Sequence, residues 1–236
     1  MTNRTLASAP DLTGIRLAHR ALTGDIERLS ALVEDIAASG RPVPGAWARS
    51  IAAYVHRYNV GVRHHHDNED AILWPVIAAA VEQALTDGSF IEGLSPEGVA
   101  DLASLTEDHT ALDPLQDACD WAATLFGEDP ERHAHRLADA LAAQRTALVR
   151  HIAAEERELF PVITRHVTAE AYATAEARIR AATPIEHAPW LRAWLLSFAT
   201  TDDLRVLTPG GATSAMADTV FRVYAEHEVE VFGPVS

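Results

Sequence analysis

The chain has 236 residues, 48 % of them apolar and only 6 % aromatic, a helix-rich composition with ample length for a substantial core. A formal net charge of −15 argues against non-specific binding to nucleic acid or to an anionic membrane, both of which need a basic surface. The single cysteine, Cys119, excludes an intrachain disulfide framework and a multi-thiolate metal site, and with no apolar leader or bilayer-length stretch a cytoplasmic protein is expected.

Ser8 and Asp11 precede an apolar stripe of Leu12, Ile15, His19, Leu22, Ile26, Leu29 and Val33. Its alternating steps of three and four make the inward seam of a first bundle helix, ending at Ser39-Gly40. A second long helix begins near Ala46 with the seam Ile51, Tyr54 or Val55, Tyr58, Val62, His65, Glu69, Leu73 and Val76. Pro75 predicts a kink in it, with helix resuming to Leu85 and a loop over Thr86 to Gly93. Ser95-Pro96-Glu97 opens a third helix with the seam Val99, Leu102, Leu105, His109, Leu112, Gln116 and Cys119, bent at Pro114 and closed by Gly127. Asp129-Pro130-Glu131 repeats the opening signal. The fourth seam is Leu137, Leu141, Gln144, Leu148, His151, Glu155, Leu159 and Val162. Thr168 caps a further short helix up to Thr183-Pro184, and Met216 to Phe232 reads as another, beyond a segment that holds Trp190 and Trp194.

The expected architecture is all-α, an up-down-up-down four-helix bundle over residues 1–167 with a helical C-terminal extension over 168–236. The extension is expected to pack on the bundle or on a partner subunit, which would make 184–236 an oligomer contact.

One segment occurs twice. His65 to Ile77 reads HHDNEDAILWPVI, and 86 residues further on His151 to Ile163 reads HIAAEERELFPVI. The shift aligns His with His, Glu69 with Glu155, Asp70 with Glu156, and Leu-Trp-Pro with Leu-Phe-Pro. A His and a Glu four apart share one helix face. That spacing alone is weak, since six of the twelve histidines have an acid four residues on. The seam discriminates: His19, His65, Glu69, His109, His151 and Glu155 all fall on apolar stripes. One such His is ordinary core, but two buried carboxylates would cost several kcal/mol without a compensating charge. A metal pair supplies it, and imidazole with carboxylate suits iron or manganese better than zinc.

The pattern H…HxxxE…H…HxxxE, with Leu-Trp-Pro or Leu-Phe-Pro after each Glu, resembles the hemerythrin-like (HHE cation-binding) family over roughly residues 10–167. The resemblance implies a non-haem di-iron centre with an oxo or hydroxo bridge, held by His19, His65, Glu69, His109, His151 and Glu155, with both Glu bridging. The oxygen carriers of that family have a second His where this chain has Asp113, and an Asp where it has Glu156, which argues against simple reversible O2 carriage. His66 with Asp70 offers an alternative register, but it breaks the alignment and leaves the seam. His66 is therefore expected to be dispensable.

One heptad from the ligands lie Ile26, Tyr58, Gln116 and Gln144, about 10 Å along the axis. They form either a mutually hydrogen-bonded layer or a cavity for peroxide or a small organic substrate, with Tyr58 as proton donor or redox relay. The favoured function is a redox enzyme that reacts with O2 or H2O2. The alternatives are a sensor or store for O2, NO or iron, and a metal with a purely structural role.

Overall fold

The computed structural model describes residues 9–86, 96–207 and 215–233, apart from the side chains at 85, 96–108, 215–221 and 223. Every element in that range is helical: α1 (Thr13–Ser39), α2 (Gly45–Asn68), a π turn (Glu69–Leu73), α3 (Trp74–Thr86), α4 (Pro96–Glu128), α5 (Pro130–His166), α6 (Ala169–Ala182), α7 (Ala188–Ser197), α8 (Thr201–Leu207) and α9 (Ala215–Phe232). The all-α expectation holds, with α1, α2, α4 and α5 as the long helices and α6 to α9 as the extension. The Ser8 and Ser95 caps, the loop after Thr86 and the seam positions Val99, Leu102 and Leu105 lie outside the described residues.

The seams explain why these segments are helices. All seven residues of the first stripe, Leu12 and six positions of α1, are buried, as are Leu137, Leu141, Gln144, Leu148, His151, Glu155, Leu159 and Val162 of α5. Gly40, at φ 58°, takes the left-handed conformation that terminates α1. Thr168 caps α6 by accepting from Ala171 N at 3.2 Å, and Asp129 accepts from Arg132 N at 3.2 Å at the start of α5.

Three local expectations change. The chain before Pro75 forms a π turn, in which Trp74 N–H donates to the Glu69 carbonyl five residues back. Proline has no N–H to give and its ring crowds the carbonyl four residues earlier, so one extra residue in the turn relieves both problems. Pro114 and Pro161, by contrast, sit inside continuous α-helix. Gly127 does not close the third helix. It lies within α4, and a Cβ there would stand 3.3 Å from Ala52 Cβ, so its role is close packing.

The chain divides into two compact units that cut across the sequence boundary at 167. The first comprises the start of the chain to Leu12, His64–Thr110 and His151–Thr183. Within it α6 packs against the π turn and α3. The second comprises Thr13–Arg63, Ala111–Arg150 and Pro184–Ser236. Here α7 packs on α1 and α9 around Asp25, which is fully buried. Asp25 accepts from Trp194 Nε1 at 2.8 Å and Tyr54 OH at 3.0 Å, and pairs with Arg28. Arg28 also donates to Tyr54 OH at 2.9 Å and Tyr224 OH at 2.8 Å, pairs with Glu228, and lies 4.2 Å from the Phe232 ring centroid. Gly61 admits α7: a Cβ there would sit 3.0 Å from Trp194 Cζ3.

Candidate metal centre

Five of the six sequence-predicted ligands come together in the first unit. His65 and Glu69 come from the end of α2 and the π turn, His109 from α4, and His151 and Glu155 from α5. The sixth, His19, is 2 % exposed on the seam of α1.

The donors form two sets. In the first, His66, Glu69, His109 and His151 are all buried, and each offers one ligand atom within 4.8 Å of the others. His109 Nε2 lies 3.1 Å from His151 Nε2 and 3.5 Å from Glu69 Oε2. The His66 ring stacks on His109 with centroids 4.2 Å apart and meets His151 edge-on. In the second set His65, Glu69 and Glu155 lie within the same 4.8 Å limit, with His65 Nε2 3.1 Å from Glu69 Oε1. Glu69 is the carboxylate common to both sets, one oxygen toward each. Glu155 belongs to the second, with Oε2 3.8 Å from His151 Nε2.

Protonation chemistry says what this arrangement is fit for. Asp70 Oδ1 stands 3.1 Å from His109 Nδ1. A carboxylate only accepts, so the ring proton of His109 is on Nδ1 and the lone pair is on Nε2. That lone pair faces a carboxylate oxygen and a second imidazole nitrogen. Electron-rich atoms converging away from water require a proton or a cation among them, and three imidazoles with a carboxylate are a competent transition-metal donor set. The residues present therefore fit a metal ion, and Asp70 is the outer carboxylate that orients one of its ligands.

The structure corrects the reading of His66. Its place off the seam was expected to keep it out of the donor cluster, yet it is 4 % exposed and stacked within the first set. The wider π turn immediately after α2 is a backbone feature that simple 3.6-residue counting does not anticipate. Asp70 was visible in the sequence as the repeat partner of Glu156 and as the acid four residues after His66. Tyr172 of α6 was missed altogether: it is 3 % exposed, and burial, then the charges of Glu176, Glu69 and Glu155, push its phenol up. Asp113, which stands where the oxygen carriers have a second His, is exposed.

The seam layer around Tyr58 is also resolved. Tyr58 OH donates to the Leu22 carbonyl at 2.9 Å, and its ring meets Trp194 edge-on at 6.0 Å. Gln144 Nε2 donates to Asn59 Oδ1 at 2.8 Å, and Asn59 Nδ2 donates to Asp120 at 2.9 Å. Burial, then the charge of Asp25, holds the Tyr58 phenol well above its ordinary range. A buried phenol committed to a backbone carbonyl is a packing residue, so the proton-donor role expected of Tyr58 does not follow from its geometry.

An all-helical chain that gathers buried imidazoles and carboxylates on successive helices defines a metal-binding helical protein of the carboxylate–histidine class. The sequence model of the hemerythrin HHE cation binding domain matches residues 11–163, and the chain belongs to that family. No curated protein and no solved structure matches it. Among the described residues no helix is long and apolar enough to cross a membrane.

Proposed function

We propose that the protein is a non-haem di-iron protein whose centre reacts with O2 or peroxide, as a redox enzyme. The observation that carries the reading is the shared carboxylate: Glu69 turns Oε1 to His65 at 3.1 Å and Oε2 to His109 at 3.5 Å. One carboxylate between two donor sets is the arrangement a pair of cations calls for. His66, His109 and His151 would hold one iron, and His65 and Glu155 the other, with Glu69 common to both. Iron held this way supplies one-electron redox chemistry and affinity for small oxygen ligands.

The chain's own residues set the terms of that chemistry. Asp70 fixes the His109 tautomer, so Nε2 is available without rearrangement. The donors are between 0 and 5 % exposed, apart from His65 at 12 %, which restricts access to molecules of the size of O2, H2O2 or NO. The second set is poorer in imidazole and richer in carboxylate, so the two positions differ in charge and in nitrogen content. The test is peroxide consumption by protein loaded with iron. Sustained loss of peroxide that Glu69→Gln abolishes is expected. Stable, reversible O2 or NO spectra without turnover would favour the sensor or store instead.

A further inference from the structure

A second site lies in the second compact unit, on the face where α9 crosses α2. A cleft of about 260 Å³ opens there, lined on one side by Arg49, Ser50, Ala53 and Arg57 of α2 and on the other by His227 and Glu230 of α9. The small Ala53 leaves the room, and Ser50 adds a hydroxyl at the wall.

Acids outnumber Lys and Arg by 34 to 19, and Arg20, Arg28, Arg41, Arg63 and Arg145 each pair with a carboxylate. Among the described residues Arg49 and Arg57 pair with none, although they converge on one cavity. The acid within reach, Glu230, is directed elsewhere. Arg57 donates to His227 Nε2 at 2.6 Å, and a guanidinium cannot accept, so the ring proton of His227 is on Nδ1. That nitrogen lies 3.6 Å from Glu230 Oε2. The Glu230 carboxylate thus lies nearest His227, and Arg49 and Arg57 both line the cavity.

Arg49 and Arg57 are eight residues apart, about 12 Å along the helix, a separation their side chains span from either end. A guanidinium fork matches the two oxygens of a carboxylate or phosphate, and two forks at opposite ends of one cleft select an anion over a neutral molecule of the same size. We propose that the α2–α9 cleft binds a small carboxylate- or phosphate-bearing anion between Arg49 and Arg57. The site is independent of the metal centre and does not rest on its chemistry.

Calorimetric titration of the full chain with inorganic phosphate and, separately, with succinate tests this at physiological salt. Saturable one-to-one binding of either probe is expected, weakening as salt is raised. Which probe binds more tightly tells phosphate from carboxylate. Arg49→Gln and Arg57→Gln should each weaken binding by about tenfold or more, while exposed Arg132→Gln should leave it unchanged. Thermal melts of each variant separate loss of the site from loss of the fold. No saturable binding of either probe, or equal weakening by all three substitutions, would overturn the proposal.

Discussion

His66 and Asp70 carry the most consequence at the scale of single residues. With His66 stacked on His109 inside the first donor set, His66→Ala is expected to lower bound iron from two ions per chain toward one, read by metal analysis. Unchanged iron would leave His66 dispensable, as the repeat alignment expects. Asp70 never touches the cation in this account; it acts through His109 Nδ1. Asp70→Asn keeps the shape but presents an amide that can turn its N–H to the ring, and a loss of about 10–100-fold in metal affinity is expected in a chelator competition. Most of the donor set is readable from the chain alone, because His65, Glu69, His109, His151 and Glu155 each interrupt an apolar stripe. His66 is not readable that way, since its burial accompanies a π turn that no 3.6-residue periodicity describes. Tyr58 misled for the opposite reason. Its seam position was legible, but nothing in the sequence says that its hydroxyl goes to the Leu22 carbonyl.

The two repeated segments are alike in sequence and differ as elements. Pro75 follows a π turn, whereas Pro161 sits within continuous α5. Removing the ring at the first place frees the backbone to return to α-helical register and rotates the donors ahead of it. Pro75→Ala is therefore expected to reduce iron content, and Pro161→Ala to reduce it less, by the same metal analysis. Helix α8 offers a separate test. Thr200 Oγ1 accepts from Asp203 N at 3.2 Å while Asp203 Oδ2 accepts from Thr200 N at 2.7 Å, a reciprocal capping box, and Arg20 pairs with the same carboxylate at 2.8 Å. The Thr200 hydroxyl and amide, with Arg20, hold Asp203 down from 3.8 to about 2. A depressed carboxyl stabilises the fold above its unfolded value and loses that contribution as pH falls through its folded one. The protection of α8 amides from hydrogen exchange, relative to the unfolded chain at the same pH, should thus fall between about pH 4 and 2, and Asp203→Ala, at a cost of about 1 kcal/mol or less, should remove that acid step.

Across the whole molecule, the C-terminal extension has a physical reason to be folded. Asp25 would be an uncompensated buried charge without Trp194, Tyr54 and Arg28, and Arg28 in turn gathers Tyr224 and Glu228 from α9. Asp25→Ala leaves Arg28 without its buried partner and should destabilise the second unit by about 3–5 kcal/mol in denaturant unfolding. Trp194→Phe removes one hydrogen bond and should cost about 1 kcal/mol. The sequence showed the aromatic residues of this extension but not their target, because Asp25 lies beside the seam residue Ile26 and not among the apolar positions that defined the stripe.

Iron stoichiometry tests most directly whether the two donor sets that share Glu69 would hold two cations. Protein reconstituted with ferrous iron under anaerobic conditions, freed of loose metal and assayed for iron per chain, should contain two ions. Glu69→Gln, which weakens the one carboxylate common to both donor sets, should lose both together. A chain that binds a single ion, or a Glu69→Gln variant that still holds two, would contradict the account.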